Sequence, residues 1–84
     1  MSTKFSNLKR AHQVMPLFVK EALNDNNLMH DYHARPAYQQ NDYLGWINQA
    51  KLESTKQKRL EQMLAELKQG GVYMKMSHPA SRKN

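Results

Sequence analysis

Lys51, Thr55, Lys56 and Arg59 stand at close spacing in the middle of the chain. Cations beside a hydroxyl are what an anion needs from a protein surface. On a helix, Thr55 and Arg59 at i and i+4 share one flank, about 90° or more from the leucines that follow. Lys56 falls close to the leucine stripe in the first turn, and Lys51 sits at the edge of the preceding apolar arc. These groups gather at an interhelical corner and a helix N-terminus, where free N–H groups and the helix dipole attract negative charge. The functional reading is a corner of Lys51, Thr55, Lys56 and Arg59 that binds a phosphate or a partner's carboxylate. The structural reading has Arg59 bridging helices by pairing with an acid such as Asp42, while Lys51 lays its stem over the core. The structural reading is the more usual for such a cluster.

Other chemistry finds less support. His30 and His33 are three apart, a spacing at which two imidazoles can share a metal, but neither His12 nor His78 is marked as a third ligand. Surface histidines are the simpler account, and no metal site is assigned. Nucleophilic catalysis needs a hydroxyl or thiol beside a base and an oxyanion donor. The serines (Ser2, Ser6, Ser54, Ser77, Ser81) fall in terminal arms or at a helix cap. No acid stands within an apolar run, where a perturbed carboxyl would be expected, and there is no Gly-rich phosphate loop. The chain therefore reads as a non-enzyme without a cofactor. Tyr43 and Trp46 belong to an apolar stripe, so core packing explains them better than base stacking. Tyr38 projects away from that stripe and is the aromatic expected to face solvent.

The elements that would hold these residues are helical. Pro16 suits the first turn of a helix carrying Phe18, Val19, Ala22 and Leu23. Asn24-Asp25-Asn26-Asn27 stops it and offers caps for the next. A short second helix uses Leu28, Met29 and Tyr32 and ends near Arg35, because the residue before a proline avoids helical geometry. Pro36 opens a third helix to about Lys51, with Tyr43, Trp46, Ile47 and Ala50 on one side and Leu44 at the edge. Its wide apolar arc makes it the central helix. Gly45 lies opposite, with no evident packing reason. Leu60, Met63, Leu64 and Leu67 define the fourth helix at i, i+3, i+4 and i+7. It starts at Glu53 or Thr55, with Ser54 and Gln57 matching a capping box. Gly70-Gly71 ends it, one glycine taking the left-handed conformation. The short connection makes the last two helices an antiparallel hairpin. The expected fold is all-α, a small bundle of about four helices with flexible basic termini.

Length and charge set the frame. Eighty-four residues make one domain with a thin core, and without cysteine there is no disulfide framework. That composition fits a reducing cytoplasm. No run approaches a membrane span, and the N-terminus lacks a signal-peptide apolar region. The formal charge is +6, yet residues 15–71 carry seven bases and all seven acids. The excess lies in Lys4, Lys9 and Arg10 at one end and Lys75, Arg82 and Lys83 at the other. The chain thus divides into a mobile basic arm (1–14), a helical domain (15–71) and a basic tail (72–84). Within the tail, residues 72–76 alternate weakly, either lying across the bundle or loose. The arms aid solubility; as an alternative function they give weak, salt-sensitive nucleic-acid binding. The first reading of function is a cytoplasmic protein-interaction or stress-protection module that binds a protein partner through the flank of Lys51, Thr55 and Arg59. An obligate oligomer, favoured by a thin core with six methionines, is a third.

Trp46-Ile47, Ala50-Lys51, Thr55, Arg59 and Leu60, ended by glycine, resemble the pattern of the bacterial YdeI/OmpD-associated, bacteriocin-protection family. Upstream, Pro16, Ala22-Leu23 and the aromatic Tyr32 also match, so the likeness covers about residues 15–71. Leu52-Glu53 departs from it, where the family favours a proline or a charge after the Ala-Lys. The resemblance implies a small bacterial helical module linked by name with protection against bacteriocins or cationic peptides, and it does not imply an enzyme.

Overall fold

The computed structural model describes residues 13–77. Most of the two basic arms, residues 1–12 and 78–84, lies outside the described residues. The chain runs through helices α1 (Leu17–Asp25), α2 (Met29–Ala34), α3 (Ala37–Gln49) and α4 (Glu53–Gln69). Two short strands follow, β1 (Val72–Tyr73) and β2 (Met76–Ser77), paired antiparallel with Val72 opposite Ser77 and Tyr73 opposite Met76. The molecule is largely helical, as expected, but the all-α expectation is corrected by this small sheet. Residues 72–77, assigned from sequence to the tail, are folded against the bundle through β1 and α4.

Both helix-opening prolines act one position earlier than expected. Pro16 is the N-cap of α1, its carbonyl accepting from the Val19 and Lys20 amides at 3.1 Å. Pro36 does the same for α3 with Gln39 and Gln40. Proline's fixed φ suits the extended N-cap position, and the missing N–H is not needed there. The end of α1 is set by Asn27, whose φ of 57° is left-handed. The Leu28 amide reaches the Leu23 carbonyl at 2.8 Å and the Asn27 amide reaches Asn24 at 3.1 Å. This pair of bonds satisfies the last carbonyls of the helix, while Leu23 and Leu28 meet in the core. Arg35, preceding Pro36, is extended and ends α2.

The core joins Val19 and Leu23 of α1 to Leu28, Tyr32, Tyr43, Leu44, Ile47, Leu60, Met63 and Leu67. Trp46, Leu64, Tyr73 and Met74 pack around it, half-buried. Gly45 gains a reason that the sequence does not show. The Gln13 amide donates to Asn41 Oδ1 at 2.7 Å, and Asn48 Nδ2 donates to the Val14 carbonyl at 3.2 Å. The segment before α1 therefore runs across the α3 face made by Asn41, Gly45 and Asn48. A Cβ on Gly45 would stand 3.4 Å from the Gln13 side chain.

Candidate functional site

The corner between α3 and α4 begins where α3 runs out of partners. The Ala50 amide bonds to the Ile47 carbonyl at 3.2 Å, so the Trp46 carbonyl receives no backbone donor from Ala50. Arg59 supplies one: its Nη1 donates to Trp46 O at 2.6 Å, with the guanidinium carbon 5.3 Å from the Trp46 ring centroid. Arg59 thus bridges the helices through a carbonyl and an aromatic face. The acid suggested as its partner is engaged elsewhere, since Asp42 Oδ2 accepts from the Tyr73 hydroxyl at 2.8 Å.

The N-terminus of α4 is built on Leu52, which is the N-cap and has no side-chain capping bond. Its carbonyl accepts from the Thr55 and Lys56 amides at 3.1 and 3.0 Å. The capping box of Ser54 and Gln57 does not form. The helix starts at Glu53, which places Ser54 inside the first turn, and Gln57 Nε2 donates to Glu61 Oε2 at 3.3 Å instead. From Leu52, residues Thr55, Lys56 and Arg59 follow at i+3, i+4 and i+7, one stripe of the helix. Leu52 is 65% exposed, Lys51 is exposed, and Thr55, Lys56 and Arg59 are half-buried. The arrangement is an open apolar tip bordered by cations, suited to noncovalent contact with an acidic, partly apolar surface.

A second polar cluster, absent from the sequence reading, lies toward the far end of α4. Glu66 is only 5% exposed, although no acid was expected in an apolar setting. Its Oε1 accepts from the Tyr43 hydroxyl at 2.5 Å and the Met74 amide at 2.8 Å. Its Oε2 accepts from Gln62 Nε2 at 3.1 Å and the Lys75 amide at 2.8 Å. Arg35, equally buried, donates to the Glu66 backbone carbonyl at 2.9 Å and to Gln39 Oε1 at 3.1 Å. Met74 and Lys75 have φ values of 52° and 67°, the mirror-image turn that hairpins favour and that asparagine and glycine usually supply. Here the two successive amides grip one carboxylate, which offsets the cost of left-handed geometry in residues with a Cβ. Wheel position gives only a weak hint of this role, because Glu66 falls about 60° from Met63 at the rim of the stripe.

Aromatic rings close the cluster. Tyr73 meets Tyr43 edge-on at 5.3 Å and Tyr38 at 6.0 Å. Tyr38 is exposed, as expected, and its hydroxyl also accepts from Gln39 Nε2 at 3.1 Å. Burial pushes the Tyr32 hydroxyl from its ordinary 10.0 up to about 12. Tyr43 moves further in the same direction, through burial first and then its hydrogen bond and proximity to Glu66.

His30 and His33 are exposed on α2, with the His33 ring edge-on to Tyr32 at 5.2 Å. Among the described residues, no three His, Cys, Asp or Glu side chains converge where they could hold a metal ion. No helix among them is long and apolar enough to cross a membrane. Ser54 is exposed at the start of α4 and Ser77 is exposed in β2.

No curated protein and no solved structure matches the chain. A family model described as bacteriocin-protection, YdeI or OmpD-associated matches residues 14–70, which span α1 to the end of α4 and hold the corner and Glu66, while Tyr73, Met74 and Lys75 of the second cluster fall beyond the match. The chain belongs to the bacteriocin-protection, YdeI or OmpD-associated family.

Proposed function

We propose that this chain is a non-enzymatic interaction module of the bacterial cytoplasm, serving the protection that its family is named for. Its contact surface in this reading is the α3–α4 corner. The observation that carries it is Leu52, 65% exposed at a helix start and bordered by Lys51, Lys56 and Arg59. A leucine left in water where a small polar residue would cap the helix serves contact better than stability. Binding is favoured over catalysis because the acid, base and phenol groups that do converge, Arg35, Tyr43 and Glu66, are buried and hydrogen-bonded to one another or to backbone.

The reading takes α3 and α4 as an antiparallel hairpin. Trp46 and Arg59, near the connection, are bonded, and Tyr43 and Glu66, farther from it, are bonded in turn. Such an order of pairs is what two helices folded back on each other produce. The corner is then the closed end of the hairpin, where side chains have few neighbours.

Affinity capture with the full chain tests the surface. Arg59 is a poor probe because it also holds Trp46, so the informative variant is Lys51→Ala with Leu52→Ser, both exposed. Loss of the partners recovered by the wild-type chain is the expected result. Recovery of the same partners at equal yield would remove the corner as the surface that holds those partners.

A further inference from the structure

Among the described residues, the corner has a counterpart on α1, an exposed surface that also has an apolar centre but carries the opposite charge. On α1, Val19 and Leu23 face the core, so the outer face is set by Leu17, Phe18, Glu21 and Asp25. At about 100° per residue, these four span one side of the helix. Leu17 is 67% exposed, Phe18 is 38% exposed, and Val14 just before the helix is 77% exposed. Glu21 and Asp25 are exposed and continue the apolar row toward the helix end. Lys20 lies on the opposite flank, about 120° from the middle of the patch. The α3–α4 corner presents the converse: exposed Leu52, half-buried Trp46, and Lys51, Lys56 and Arg59. Glu53 is the corner's acid, turned about 100° from Leu52.

We propose that the corner of one chain docks the outer face of α1 of a second copy. Leu52 meets Leu17 and Phe18, while Lys51 and Lys56 face Glu21 and Asp25. The inference rests on the corner being the contact surface and names its partner as this same chain. Charge complementarity carries it: each surface alone would repel its own kind, and each pairs an apolar row with charges that suit the other. The two surfaces differ, so the contact is heterologous; two copies close into a dimer only if both contacts form at once, and otherwise they extend head to tail. Contacts of this size are weak and salt-sensitive.

Sedimentation velocity of the full chain tests this, from about 10 µM to about 1 mM at low salt and at about 0.3 M salt. The wild-type sedimentation coefficient is expected to rise with concentration at low salt and to return to the monomer value at high salt. Lys51→Glu with Lys56→Glu, and separately Glu21→Lys with Asp25→Lys, should each weaken association about tenfold or more. Mixing these two variants should restore it, because the reversed corner of one then faces the reversed helix of the other. The control Lys58→Glu with Lys68→Glu changes net charge as much as the corner variant, away from either surface, and should leave association intact. A wild-type chain that stays monomeric throughout, or variants that associate as the wild type does, would overturn the proposal. If the wild type is monomeric and Lys51→Ala with Leu52→Ser still loses captured partners, only self-docking fails and the corner reading stands. If self-association depends on the charges while that capture is unchanged, the corner serves this chain's own copies alone.

Discussion

The two ends of α4 are composed on opposite principles. Toward its C-terminus, Glu66 gathers four donors on its carboxylate, and Arg35 donates to its backbone carbonyl in the last turn, where the helix dipole favours a cation. At the N-terminus, Leu52 occupies the cap position without a side-chain bond, and Lys51 and Lys56 flank the end that favours anions. Glu53 alone suits the dipole there. A 17-residue helix tolerates this because tertiary packing of Leu60, Met63 and Leu67, more than local propensity, holds it. Buried hydrogen bonds gather where the β1–β2 hairpin closes over Glu66, and the opposite end leaves Leu52 exposed beside cations.

Substitutions at the two ends should differ in size and in sign. Glu66→Gln is expected to cost most, on the order of 3 kcal/mol, since an amide NH2 cannot accept from the donors that two carboxylate oxygens serve. Urea unfolding measures it, and hydrogen exchange at the Met74 and Lys75 amides should speed up more than exchange in α3. An unchanged hairpin would mean that Glu66 is not what holds the turn.

Alkaline pH should act on the same closed end. Tyr32 and Tyr43 hold their protons more tightly folded than unfolded, so the unfolded chain ionises first as pH rises. Their contribution is full below pH 10 and, for Tyr32, is lost as pH climbs toward about 12. That loss is about 2–3 kcal/mol for a shift of this size. Tyr32→Phe should flatten the unfolding free energy against pH over this window, and an undiminished slope would count against burial as the cause. Tyr43→Phe at neutral pH leaves Glu66 one donor short and should cost about 1–2 kcal/mol by thermal or urea unfolding.

The open end should respond least and in the opposite direction. Leu52→Ser supplies a hydroxyl where the helix has no cap and uncovers no core, so it should raise stability by about 0.5–1 kcal/mol. A loss larger than about 1 kcal/mol would show that Leu52 packs in the fold and is not available for contact.

Much of this architecture was readable locally. The prolines, the Asn-rich break and the double glycine bounded the helices, because caps and φ restrictions act within a few residues. The stripe of Leu60, Met63 and Leu67 and the inward side of Tyr43 and Ile47 followed from helical period. The short strands were not readable, since Met74-Lys75 carries none of the residues that usually mark a tight turn. The bonds of Gln13 to Asn41 and of Arg59 to Trp46 join residues 28 and 13 positions apart, beyond any local pattern. The four corner residues stood out by type and spacing, but Leu52 became part of that surface only through its exposure.

The sequence by itself determined, to within a residue or two, where helices start and stop and which faces turn inward, because propensity, φ restriction and apolar period are properties of neighbouring residues. Tertiary structure alone decided that Glu66 is buried, that Arg59 serves the Trp46 carbonyl and not Asp42, and that a hairpin packs against the end of α4. The reason is that a buried polar group is acceptable only when distant donors arrive to satisfy it, and their arrival depends on how the elements pack.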